Sequence, residues 1–76
     1  MDSAQEAEFL GKLGSRIRQL RKERGLSQDR LALECNLTQT YISQIERGER
    51  NVSVLAIQLL AQAMGITLAQ LFDGME

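Results

Sequence analysis

Residues 28–47 read Q-D-R-L-A-L-E-C-N-L-T-Q-T-Y-I-S-Q-I-E-R, and the way this stretch folds decides the rest of the chain. Its first part, Gln28 to Cys35, has Leu31, Ala32 and Cys35 at spacings that turn all three inward on one short helix. Asn36 then interrupts the pattern, and asparagine accepts a left-handed backbone better than most non-glycine residues. The second part, about Thr38 to Arg47, sets Ile42 and Ile45 on one face and Gln39, Thr40, Ser43 and Gln44 on the other. Thr38 is placed to cap that helix by accepting from a free backbone amide. Leu37, in the break, is expected to insert between the two helices. Two short helices joined by so small a turn predict a helix-turn-helix unit, whose second helix has the dimensions to enter the major groove of DNA.

Working outward, the helix before this unit is expected from roughly Glu6 to Arg24, with Phe9, Leu13, Ile17 and Leu20 as one apolar stripe. Gly11 and Gly14 lower its intrinsic propensity, so tertiary packing must support its first half. Gly25 is the natural C-cap, Leu26 a contact just beyond it, and Ser27 the N-cap of the next helix. After Gly48 and a polar loop, Ser53 caps a fourth helix reaching about Met64, whose inward face is expected to hold Val54, Ile57, Leu60, Ala61 and Met64. Leu55 and Leu59 widen that apolar surface. Thr67 and Gln70 stand at capping-box spacing for a fifth, short helix containing Leu68, Leu71 and Phe72. The expected architecture is all-α, a compact five-helix domain over residues 7–76, preceded by a flexible acidic lead-in at residues 1–6.

Composition narrows the function. Seventy-six residues allow one domain and one modest core, with a single cysteine and no histidine. An intrachain disulfide, a structural metal and a metal-based active site therefore lack the residues they need. No nucleophile–base constellation or phosphate-binding glycine loop is present, so neither an enzymatic activity nor a cofactor is expected. No apolar run approaches the ~20 residues that span a bilayer, and no export signal opens the chain; a cytoplasmic location follows as the expectation. Net charge is only -1, but the charges are segregated. Asp2, Glu6 and Glu8 lie in the first ten residues, whereas Lys12, Arg16, Arg18, Arg21, Lys22, Arg24 and Arg30 follow against only Glu23 and Asp29. Segregated charge suits a chain that offers one basic face to a polyanion.

The run R-K-E-R-G-L-S-Q at residues 21–28, Leu31-Ala32, and Y-I-S-Q-I-E-R-G at residues 41–48 together resemble the lambda repressor/Cro-type helix-turn-helix family, often called XRE-like regulators. The likeness extends from about Phe9 to Phe72. The continuation into Glu49-Arg50-Asn51 resembles, less specifically, the compact restriction–modification controller proteins. The resemblance implies a five-helix domain that binds a partly palindromic operator as a homodimer and regulates transcription, as repressor or activator. It implies DNA contact by the residue at Gln28, base or backbone contact by Gln39, Thr40 and Gln44, and positions near the DNA for Tyr41, Ser43, Arg47 and Asn51. It also implies an ion pair between Arg21 and Glu46 that braces the first helix against the third. Asn36 departs from the glycine often found at this turn, which implies a local adjustment only.

Side-chain chemistry adds to this. A glutamine amide both donates to and accepts from adenine in the major groove, which makes Gln39 and Gln44 the leading base-reading candidates. Thr40 offers a methyl to thymine or a hydroxyl to phosphate, and Ser43 is small enough for close approach. Ser27 and Gln28, at a helix N-terminus, suit phosphate. Arg16, Lys22, Arg30, Arg47 and Arg50 form a cationic pool, of which any one pose uses only some. Tyr41 has two roles open, phosphate contact or packing beneath the second helix. Cys35 reads as a small core residue, with a redox switch as the alternative.

A dimer is expected because one recognition helix covers few base pairs, whereas two about 34 Å apart read matching half-sites. A subset of Leu55, Leu59, Leu68, Leu71, Phe72 and Met75 is expected to form the twofold interface, the alternative being that all but Met75 complete the monomer core. An antitoxin-like module, using the same fold to bind a toxin, is the competing function. RNA polymerase is a further protein partner that the resemblance leaves open, and the DNA-bound protein would sit on the nucleoid.

Overall fold

The computed structural model describes residues 1–75 and contains five helices in the order α1 (Ser3–Glu23), α2 (Gln28–Cys35), α3 (Gln39–Glu46), α4 (Val54–Ala63) and α5 (Leu68–Phe72). Each begins on a side chain that accepts from an unpaired first-turn amide: Asp2, Ser27, Thr38, Ser53 and Thr67. Thr67 and Gln70 form the expected reciprocal box.

α1 begins at Ser3, three residues before the expected start at Glu6. Asp2 Oδ1 accepts from the Gln5 amide at 2.8 Å while the Gln5 side chain accepts from the Asp2 amide at 3.0 Å, a second capping box that the acidic composition obscured. Between α2 and α3, Asn36 adopts φ 57°, ψ 39°. That left-handed residue lets the Leu37 amide donate back to Ala32 O at 2.9 Å, and the chain turns without a glycine.

The core is one cluster: Leu13, Ile17, Leu20, Leu31, Ala32, Cys35, Ile42, Ile45, Leu60, Met64 and Leu71. α1 packs on α3 and α5, and α2 on α3 and α4. Gly14 explains how closely α1 approaches α3. A Cβ there would fall on the carbonyl oxygen of Ile45 and stand 2.7 Å from that of Glu46. Its cost in helix propensity is offset by this backbone-to-backbone approach.

Two apolar expectations are corrected. Phe9 is 44 % exposed: it lines an open depression with Leu10, Val52 and Ile57 and is not sealed in the core. Val54 is 78 % exposed, since the inward side of α4 is taken by Ala56, Leu60 and Ala61.

Arg16, a member of the cationic pool, is engaged inside the domain, and so is Arg24. Arg16 donates to Leu71 O and Gln70 O, both at 2.9 Å, and Arg24 donates to Met64 O at 2.6 Å and Leu20 O at 3.1 Å. Helix C-termini carry unpaired carbonyls and a partial negative charge, so these cations hold α5 and α4 onto α1. Among the described residues, no helix is long and apolar enough to cross a membrane.

Candidate nucleic-acid interface

α3 is held by its apolar side and by one ion pair. Ile42 and Ile45 are buried, and Glu46 beside them has a side chain only 3 % exposed. Arg21 of α1 meets that carboxylate with two bonds, Nε to Oε2 at 2.6 Å and Nη2 to Oε1 at 2.9 Å, and gives Nη1 to Leu26 O at 2.8 Å. The fork-on-carboxylate geometry is the strong form of a charge-assisted hydrogen bond. The Glu46 hydrogen bond raises the Arg21 pKa further above its ordinary value, against an opposing effect of burial. The structure therefore joins the pair that family likeness had linked.

The opposite side of α3 faces outward. Gln39 and Thr40 are exposed, and Tyr41, Ser43 and Gln44 are half-buried. Gln39 and Gln28 are the first residues of their helices, and they touch: Gln39 Nε2 donates to Gln28 Oε1 at 2.7 Å. Gln28 Nε2 in turn donates to Glu46 Oε1 at 3.1 Å. Spacing puts Gln39 and Glu46 two turns apart on α3, but it does not show that Gln28 of α2 lies between them, which depends on how the two helices cross.

A second group lies one turn further along α3. Arg50 rests over the Tyr41 ring, 5.1 Å from its centroid, and Nη1 donates to Gln44 Oε1 at 3.3 Å. Tyr41, Gln44 and Arg50 line a shallow depression with Asn36, Leu37, Thr38 and Thr40. Tyr41 thus has its ring packed against the core, as one of its two expected roles requires, and under a cation as well.

The remaining candidates are more scattered. Ser27 caps α2 and accepts from the Arg30 amide at 3.0 Å, while Arg30 itself donates to Glu34 at 3.1 Å, apart from both groups. Arg47 donates to Ser43 Oγ and to Glu49 Oε2, the latter at 2.8 Å. The Arg47 hydrogen bond lowers the Glu49 pKa, and the same bond raises that of Arg47. Both side chains are exposed, so a phosphate can displace Glu49 at little cost. Asn51 is exposed in the loop before α4.

With this geometry in view, a comparison with protein-family profiles matches residues 17–71 to the description helix-turn-helix. The chain belongs to the helix-turn-helix family. This helix-turn-helix protein is similar to control protein C.BamHI of Bacillus amyloliquefaciens, 46 % identical over 61 residues that cover 79 % of this chain and 75 % of that one. It is similar to control protein C.MunI of Mycoplasma sp, 41 % identical over 66 residues, covering 86 % and 89 %. Among solved structures it resembles the restriction-modification controller protein C.AhdI from Aeromonas hydrophila, with a TM-score of 0.81 and 46 % identity over 83 % of this chain and 96 % of that one. In this helix-turn-helix protein, α2 and α3 are the pair that gives the family its name, and α1, α4 and α5 are their support.

The candidate dimer residues divide. Leu71 is 0 % exposed in a single chain and belongs to the core, which corrects its assignment to an interface. Leu55 is 68 % exposed and Phe72 38 %, whereas Leu59, Leu68 and Met75 are half-buried.

Proposed function

We propose that this protein is a restriction–modification controller that binds an inverted-repeat operator as a homodimer and regulates transcription from it. One observation carries the reading. The outward side of α3 holds Gln39, Thr40, Ser43 and Gln44 while its inward side is anchored by Ile42, Ile45 and Glu46, so a rigid helix offers amides and hydroxyls to base edges. Gln39 and Gln44 read bases, and Thr40 and Ser43 allow close approach. Ser27, Gln28, Tyr41, Arg47, Arg50 and Asn51 hold the sugar–phosphate backbone, which sets orientation more than preference. Arg30 joins them after releasing Glu34. We assign the protein no enzymatic role and place its action in the cytoplasm, on nucleoid DNA.

The dimer in this proposal uses Leu55 and Phe72, flanked by Leu59, Leu68 and Met75. Large apolar groups exposed on the last two helices support it, as does the need for two recognition helices about 34 Å apart. Sedimentation with and without operator tests it; a monomer at tens of micromolar in both refutes it. RNA polymerase or a toxin would dock away from α3.

The test of the whole reading is selection of bound duplex from a random pool, then footprinting. The expected product is an inverted repeat with half-sites one helical turn apart. Gln39→Ala and Gln44→Ala should each relax the selected sequence at one or two base pairs per half-site while bulk affinity for DNA persists. An unchanged motif in both variants would overturn the base-reading assignment.

A further inference from the structure

The hydrogen bonds that run from the core to the outer face of α3 have a direction, and the direction has a consequence for readout. An amide has two ends of nearly the same shape and opposite hydrogen-bonding sense, so an exposed glutamine presents its donor or its acceptor equally well. Here that freedom is removed stepwise. Arg21 is donor-only and grips both Glu46 oxygens, keeping the carboxylate an acceptor. Gln28 must then turn its NH2 group toward Glu46 Oε1, 3.1 Å away, which leaves its own Oε1 facing α3. Gln39 answers with its NH2 group at 2.7 Å. A reversed Gln39 would set oxygen against oxygen. The outer edge of Gln39 therefore keeps one N–H and its carbonyl oxygen in fixed places.

We propose that Glu46 is a positioning residue for sequence readout: through Gln28, its buried carboxylate fixes which end of the Gln39 amide faces each atom of the base edge. This rests on the assignment of Gln39 as a base reader and names what orients it. The donor and acceptor left free are the pair that an adenine edge takes up in two bonds. A fixed amide also loses less rotamer freedom on binding than a free one. The same carboxylate thus serves two ends, bracing α3 against α1 and setting the polarity of an exposed side chain.

Glu46→Gln keeps the shape and breaks the logic. Arg21 donates to both of the oxygens being replaced and Gln28 shares Oε1 with it, so the new amide's NH2 group opposes an Arg21 donor in either orientation, and Gln28 and Gln39 lose the fixed acceptor that set their direction. Gln28→Met cuts the relay while leaving the Arg21–Glu46 pair in place, so it remains informative if Glu46→Gln does not fold. The experiment measures relative affinities of wild type, Glu46→Gln, Gln28→Met and Gln39→Ala for the selected operator and for every single-base-pair variant of it. The expected result is loss of preference, roughly tenfold, at one and the same base pair in all three variants, with preferences elsewhere retained. Adding Glu46→Gln to Gln39→Ala should then leave the preference profile unchanged. If Gln39→Ala relaxes that base pair while folded Glu46→Gln and Gln28→Met weaken all sequences evenly, the relay is overturned and base reading by Gln39 stands. If Gln39→Ala keeps the wild-type profile, the base-reading assignment falls and the relay with it.

Discussion

Arg21→Ala is the sharpest perturbation of the fold. The substitution removes two bonds to Glu46 and one to Leu26 O, and leaves a carboxylate whose side chain is 3 % exposed with Gln28 as its one remaining side-chain partner among the described residues. Breaking a buried ion pair by removing one member costs about 3–5 kcal/mol, because the orphaned charge stays desolvated. A domain of this size has roughly 4–11 kcal/mol in total, so a large share of its stability is at risk. In thermal terms the loss is a fall of roughly 12 °C or more in Tm. The assay is urea denaturation of the free protein followed by far-UV circular dichroism, with no DNA present. Arg21→Met combined with Glu46→Leu removes both charges and fills the space; apolar replacement of a buried pair is commonly neutral or better, so the double variant should regain most of what either single change loses. An unchanged midpoint for Arg21→Ala, or a double variant as weak as the sum of its parts, would refute the buried-charge argument.

Gly14→Ala should lower the urea midpoint by the equivalent of about 1–3 kcal/mol, since its methyl would meet two backbone carbonyls of α3 that cannot move independently; an unaltered midpoint would mean the α1–α3 crossing is looser than described. Arg16→Met removes the donor from Leu71 O and Gln70 O and should cost on the order of 1 kcal/mol, with faster amide exchange concentrated in α5; uniform exchange would count against a local clamp. Cys35 is buried and its thiol pKa is pushed up, first by burial and then by Glu34. Both folded and unfolded chains carry the neutral thiol below the ordinary thiol value, so this group contributes no pH dependence there. As pH rises past that value the unfolded chain ionises first, and the folded state loses stability until the raised folded value is passed. Cys35→Ala should remove this alkaline component from the stability profile. Thiol-reactive dye should label the folded wild type only as fast as it opens.

Much of the architecture was legible because its signals are local. A capping residue needs only the next few amides, and an apolar face needs only helical spacing, so Ser27, Thr38, Ser53 and Thr67 and the stripe Leu13-Ile17-Leu20 could be read without knowing the fold. The failures are of another kind. Phe9 continues the stripe in sequence but lines an open depression with Val52 and Ile57, and Val54 begins a helix whose inward side is set by α2 and the core. Arg16 was counted with the free cations because charge patterning does not show which carbonyls lie opposite. Leu71 and Phe72 are equally apolar neighbours, yet one is sealed in the core and the other emerges. At the candidate interface, residue types announced the chemistry of Gln39 and Gln44. What the types did not hold was the bond from Gln28 to Glu46, which exists only once α2 and α3 have crossed.

Because eight-residue helices are marginal alone, α3 owes both its existence and its orientation to what α1 and α2 supply. A binding defect can therefore arise in two ways, by unfolding the rod or by misdirecting its side chains, and temperature separates them. On the proposed function operator binds only the folded state, so saturating DNA should restore a merely destabilised variant by mass action, and cooling toward its stability maximum should do the same. Gly14→Ala belongs to the destabilised kind at the level of α3 itself, and its affinity for operator relative to random duplex should approach that of wild type on cooling. Only Gly14→Ala keeps the carboxylate, so only Gly14→Ala should recover the full discrimination. The double variant should fold well and bind, yet stay permissive at the Gln39 base pair at every temperature, which would separate the bracing role of the ion pair from its role in readout within a single pair of proteins.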